Sequence, residues 1–209
     1  VAPRPGVTAA AVVDAAIAIS DRVGLDGLTL TAVARKLGVQ TPSLFAHVAG
    51  RPGLLKALRL RSFEAQVDLF RAAATGRARG DAVAAVTHAY RGFVHQHPGL
   101  YDASVPTHVA DAGETRAVAD SLLRAVLDVI QGFGISEEES VHAARFLRSV
   151  VHGFLSLERA GGFGLSEDVD ASFEQTVRAL TETLTRWPRA SIVDRSDRPR
   201  RVKRRRAAA

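Results

Sequence analysis

The chain has 209 residues, 46% of them hydrophobic, which is enough to bury a sizeable core in one or two domains and excludes an intrinsically disordered protein. It contains no cysteine, which excludes disulfides and thiolate chemistry and fits a reducing cytosol, and no apolar run reaches membrane-spanning length. The net charge of +6 is unevenly spread: residues 1–62 carry eight Lys/Arg against three acidic residues (net +5), residues 63–194 twelve against eighteen (net −6), and residues 195–206 eight against one (net +7), so phosphate-binding potential lies at the two ends.

The opening stretch VAPRPGVT lacks the apolar core of a signal peptide, and a cytoplasmic location is expected. Pro3, Arg4 and Pro5 read as a mobile arm, either frayed or reaching a minor groove through Arg4. Residues 8–23 form a first helix, with Val12, Val13, Ala16, Ile17 and Ile19 apolar and Gly24 as its stop. Residues 30–47 then read as two short helices joined by a tight turn. Thr29 or Thr31 caps the first, Ala34 is small where the helices cross, and Gly38 supplies a turn position with φ > 0. Thr41 and Pro42 start the second helix, and Leu44 points back into the crossing over Val33, Leu37 and Val39. Ala-x3-Gly-x5-Leu is the spacing of a helix-turn-helix, though it also fits an ordinary helical corner. Gln40, Thr41, Ser43, Phe45 and His47 are polar or aromatic away from Leu44, which suits a helix presented to DNA better than a core helix. Gly50-Arg51-Pro52 opens a long helix that buries Leu54, Leu55, Leu58 and Phe63.

Residues 28–58, within GLTLTAVARKLGVQTPSLFAHVAGRPGLLKAL, resemble without a gap the DNA-binding domain of the TetR family of bacterial transcriptional regulators. The resemblance implies that Thr29, Thr31, Gln40, Thr41, Ser43, Phe45, His47 and Arg51 face DNA. Gln40, Thr41 and Ser43 are the candidates for base edges, and Thr29, Thr31, His47 and Arg51 for phosphate or mixed contacts. Lys36 is a further phosphate partner. The chain departs from the family pattern at Phe45, where a tyrosine is usual, and at Pro52 and Gly53, where polar residues are common.

The remaining elements are helical. Residues 72–79 form a small-residue connection, and residues 81–96 a helix turning Val83, Val86, Tyr90, Phe93 and Val94 inward, which Pro98-Gly99 ends. Residues 101–110 read as a short irregular piece around Pro106. Residues 114–131 are amphipathic, carrying Val118, Leu122, Leu123, Val126, Val129 and Ile130, and stop at Gly132 and Gly134. Ser136 and Glu139 match a capping box, starting a helix that runs to about residue 160 and is apolar most of the way round, so it must be buried on both sides. A last helix spans about residues 170–187. Three segments follow: a helix-turn-helix domain over 1–62, a helical regulatory and dimerisation domain over 63–187, and a basic disordered tail over 188–209. The fold class is all-α with about nine helices.

YRGFVHQHPGLYDASV and RSVVHGFLSLERAGGFG further resemble the WHG-type C-terminal domain of a subset of these regulators, with Val151-His152-Gly153 at the name-giving position. The expected interface of a homodimer combines the small strip Ser149, Gly153, Ser156 and Ala160 with Phe173, Val177, Leu180 and Leu184 in an intersubunit four-helix bundle. Residues expected around an effector cavity are His88, Phe93, His95, Tyr101, His108 and Phe133, while His142 and His152 read as hydrogen-bonded core histidines. No metal site, cofactor or catalytic residue is expected: G-x-S-x-G, a phosphate loop and His-Glu-x-x-His are all missing from the sequence. The expected function is a ligand-responsive, sequence-specific regulator, most simply a repressor that binds a palindromic operator as a homodimer and is released by a small molecule. The alternative is a sequence-tolerant architectural DNA-binding protein that relies on the basic tail, whose affinity would come from counterion release.

Overall fold

A computed structural model of the chain describes residues 7–105 and 113–188. Arg4, Pro106, His108 and the basic segment 195–206 lie outside the described residues. Among the described residues there are eight α-helices and one 3-10 helix, and no strand: α1 (Ala9–Val23), α2 (Leu30–Leu37), the 3-10 helix Thr41–Ala46, α3 (Gly50–Ala74), α4 (Arg79–Gln96), α5 (Pro98–Ser104), α6 (Glu114–Gln131), α7 (Glu137–Arg159) and α8 (Val169–Thr185).

Local chemistry accounts for most of the boundaries. Thr8 Oγ1 accepts the Ala11 N–H at 3.2 Å to cap α1, which ends at Gly24 with φ 73°. Thr29, not Thr31, caps α2 through a 3.1 Å bond from the Ala32 N–H. Apolar side chains at helical spacing then close the N-terminal unit. Val12, Ala16, Leu28, Val33, Leu44, Leu54 and Leu58 are completely buried in one cluster, each large one stabilising the fold by roughly 1.5–3 kcal/mol.

α3 continues without a break through Phe63 and carries its buried face from the N-terminal unit into the rest of the molecule, where Phe70 meets Tyr90 of α4 edge-on at 5.5 Å. α8 lies on α4 at close range because Gly80 leaves room: a Cβ there would stand 2.7 Å from Thr181 Cγ2. The buried stripe of α8, Phe173, Val177, Leu180 and Leu184, is spent inside this protomer, at 0–4% exposure.

Three sequence expectations change. Pro98-Gly99 does not merely end α4; it opens α5 (Pro98–Ser104), with Pro98 in the first turn where its missing N–H is no loss. The Gly99 N–H is accepted by Asp21 Oδ1 of α1 at 2.8 Å, so the cap comes from a residue 78 positions away. The capping box at Ser136 does not form either. Ser136 makes no side-chain cap, and the Glu139 carboxylate accepts the Trp187 indole N–H at 3.1 Å instead. Third, α7 is not buried on both sides within the protomer: Val141 is 41% and Leu157 52% exposed, as is Leu123 of α6 at 46%.

Candidate nucleic-acid interface

The turn between α2 and the 3-10 helix is built as its sequence demands. Gly38 adopts φ 70°, ψ 31°, its N–H bonds back to the Ala34 and Arg35 carbonyls, and the Val39 N–H reaches Ala34 O at 3.0 Å. Ala34 and Leu44 are buried at the crossing, at 2% and 0% exposure. The second element is as short as the sequence suggests, six residues, but it is a 3-10 helix, tighter than an α-helix. It points its remaining side chains outward. Thr29, Thr31, Lys36, Gln40, Ser43 and Phe45 are exposed, and Thr41 and His47 are half-buried. Phe45 is 60% exposed, although its neighbour Leu44 is fully buried, so packing gives no reason for an aromatic ring there.

Arg51 plays a part that sequence reasoning missed. Its Nε donates to Leu28 O at 3.3 Å and its Nη2 to Leu25 O at 2.9 Å, tying the loop before α2 to the start of α3. The side chain remains exposed, so it can also meet a phosphate. Its carbonyl partners lie 23 and 26 residues upstream and leave no local signal. The exposed threonines, glutamine and serine, with one aromatic and flanking cations, present side chains that can hydrogen-bond to base edges and phosphates.

Comparisons with known proteins give the family. Residues 83–180 match the model of a tetracycline repressor-like C-terminal domain. An HTH-type transcriptional regulator of Mycobacterium tuberculosis, itself uncharacterized, is 34% identical over 176 residues, spanning 84% of this chain and 80% of that protein. The chain belongs to the TetR family of transcriptional regulators. A second uncharacterized HTH-type regulator, from Bacillus subtilis, is 33% identical over 87% of this chain and 95% of its own length. A TetR regulator of known structure from Streptomyces coelicolor shares the fold, with a TM-score of 0.68 and 20% identity over 88% of this chain and all of that one. TetR-family proteins are DNA-binding regulators rather than enzymes.

In the regulatory half of this TetR-family chain, the expected cavity residues separate into three places. Phe93 and Tyr101 are buried together, with Tyr90 between them: its ring stacks on Phe93 at 6.3 Å and tilts against Tyr101 at 6.3 Å. Phe133 is buried beyond the end of α6 and belongs to no described ring pair of that cluster. His88 and His95 stand on the solvent side of α4, paired to Glu174 and Glu158 at 3.1 Å each. The set therefore does not line one cavity, because the face of α4 that holds Tyr90 and Phe93 turns both histidines outward.

His152 is the polar centre the sequence reading placed in the core, and it is held there. The Tyr101 hydroxyl lies 2.9 Å from its Nδ1 and that of Tyr90 3.4 Å from its Nε2, so one tyrosine donates to the neutral ring and the other accepts from it. Burial, aided by the charge of Arg148, pushes its pKa down to about 4. Burial likewise raises the Tyr90 and Tyr101 hydroxyls above their ordinary range. His142, by contrast, is exposed.

Beside this cluster Arg91 binds Glu158 through both Nε and Nη2 and reaches Asp170 at 2.6 Å, its guanidinium lying 4.5 Å over the Phe173 ring. Burial works against the Glu158 charge, but the bonds from Arg91 and His95 prevail and hold its carboxyl below the usual range. This network locks α4, α7 and α8 together. Of the expected dimer residues, Ser149, Gly153, Ser156 and Ala160 are exposed along α7, whereas Phe173, Val177, Leu180 and Leu184 are not available to a partner. The periodicity of α8 marked a buried face correctly, but α4 of the same chain covers it.

Proposed function

We propose that this TetR-family regulator binds a palindromic operator as a homodimer and releases it, as a repressor, when a small molecule enters the regulatory half. The observation that carries the reading is the outward face of the helix-turn-helix, where Gln40, Ser43 and the 60% exposed Phe45 stand clear of the core. Gln40, Thr41 and Ser43 read base edges, Thr29, Thr31, Lys36, His47 and Arg51 hold phosphates, and Phe45 meets a thymine methyl or sugar. The exposed strip Ser149, Gly153, Ser156 and Ala160 joins two chains, and two-fold symmetry then demands half-sites roughly one helical turn, about 34 Å, apart. No helix of the described residues is long and apolar enough to cross a membrane, and the protein acts in the cytoplasm beside its DNA.

Coupling runs through the latch between α1 and α5. Asp21 accepts the Gly99 N–H at 2.8 Å and bonds His97 Nδ1 at 3.2 Å, while Gly99 is pressed so closely on Ser20 that a Cβ would meet its Oγ at 2.2 Å. α5 also carries Tyr101, which bonds His152, so a shift of the aromatic cluster displaces α1 and the module it supports. An effector regulates only by binding the two arrangements unequally.

The test is selection from random duplex DNA at near-physiological salt, with the full chain and with a chain ending at Pro188. Enrichment of a palindrome by both supports the regulator. Binding without sequence preference, lost on removal of the basic segment, supports the sequence-tolerant alternative.

A further inference from the structure

An open groove of about 810 Å³ runs between α1, α3, α4 and the start of α5. Each long helix gives it one face: α1 contributes Asp14, Ile17, Ala18 and Asp21, spaced at i, i+3, i+4 and i+7. The floor is made of small and apolar residues, Ala65, Ala89 and Gly92 among them, with Phe93 and Leu100 buried at its back. Gly92 has nothing within 4 Å of where a Cβ would lie, so the space above it is open.

The charge on the α1 wall is negative. Asp14 and Asp21 lie two turns apart, about 10 Å along the helix. The Asp21 side chain is only 19% exposed and its carboxylate is fixed by Gly99 and His97, so its charge cannot swing away. Asp14 meets Arg61 through a single 3.2 Å contact with both side chains at least half exposed, a pairing that water and a competing cation displace readily. We infer that this groove is a binding site for a hydrophobic organic cation, its apolar body on Ala89, Gly92 and Phe93 and its ammonium at the Asp14 carboxylate in place of the Arg61 guanidinium, with the fixed Asp21 charge adding to the negative field of the wall. The site lies outside the Tyr90–Tyr101–His152 cluster and beside the α1–α5 latch. Because its walls come from both halves of the chain, an occupant favours the docked arrangement of α1.

The inference is independent of which operator the protein reads, and the test keeps the two apart. Tryptamine and its uncharged counterpart tryptophol are titrated by calorimetry into the full chain at pH about 8, alongside Gly92→Leu, Ala18→Phe and Asp14→Asn. Tryptamine is expected to bind the wild-type chain about tenfold more tightly than tryptophol, and to lose about tenfold in affinity in each variant. Gly92→Leu fills the groove from the floor and Ala18→Phe from the opposite wall, so a folding failure of one leaves the other decisive. Operator binding by the same preparations, measured without tryptamine, reports whether the regulatory reading holds whatever the groove binds. No tryptamine binding, equal binding of tryptophol, or binding that survives both groove-filling variants overturns the site while leaving the regulatory reading intact.

Discussion

His152 shows how much one side chain depends on neighbours from other helices. Its ring lies among Tyr90, Tyr101 and the positive Arg148, so the folded state resists protonation between pH 6.5 and about 4 while the unfolded chain takes up the proton. Stability that is complete above pH 6.5 is therefore lost as pH falls towards about 4. After allowance for partial exposure the loss is about 1–2 kcal/mol. His152→Gln keeps a hydrogen-bonding amide but not the titration, and urea unfolding from about pH 7 to about pH 5 should show a shallower decline than in the wild type. An unchanged slope would mean that the ring does not titrate as its burial requires. Gly99 makes a second residue-scale test. A methyl group at this site would run into the Ser20 backbone carbonyl carbon at 2.6 Å, so Gly99→Ala should destabilise by roughly 1–3 kcal/mol. A thermal midpoint equal to wild type would show that α1 and α5 separate without cost.

The helix-turn-helix element divides along the same line between local and distant causes. Gly38 and Pro42 were legible, and Thr29 was one of the two caps the sequence offered, because caps and left-handed turns are one-residue chemistry; Thr41 lies inside the 3-10 helix, which has no side-chain cap. What escaped was the 3-10 geometry of Thr41–Ala46 and the Arg51 clamp, since both are set by how α3 returns beneath the turn. If the outward face reads DNA, Gln40→Ala should weaken operator binding by about 1–3 kcal/mol and relax preference at one base position. Lys36→Ala should instead weaken binding to all sequences and lower the salt slope by about one. Fluorescence anisotropy over a salt series, with operator and scrambled duplexes, separates these two signatures. α5 is the opposite case. Pro98-Gly99 reads as a terminator in sequence, and only Asp21 arriving from α1 makes it a helix start.

At the scale of the whole molecule, α8 decides what a partner chain can touch. Its apolar stripe is closed over by α4, so the proposed dimer is left with the exposed strip of α7 and the outward side of α8. Gly153 offers a clean probe of this, since a Cβ there meets nothing within 4 Å in the protomer. Gly153→Arg should leave the monomer folded, raise the dimer dissociation constant by at least about tenfold, and weaken operator binding in proportion. Sedimentation velocity over a concentration series measures the first effect; a dimer as tight as wild type would remove α7 from the interface.

The all-helical class and nearly every helix boundary were legible in the sequence, because they follow from periodicity, caps and turn residues acting within a few positions of one another, while the helix-turn-helix, whose spacing also fits an ordinary helical corner, needed the family resemblance to be identified. Most buried faces were marked as well, Phe173 to Leu184 included, whereas the face of α5 was missed and α7 was over-read. Only the tertiary structure decided what each face is buried against. The separation of Phe93 and Tyr101 from His88 and His95, the enclosure of α8 by α4, and the latch from Asp21 to Gly99 all join residues far apart in the chain. Hydrophobic burial is non-directional, so a pattern of apolar residues specifies that a face is covered and leaves its partner to the packing of the whole.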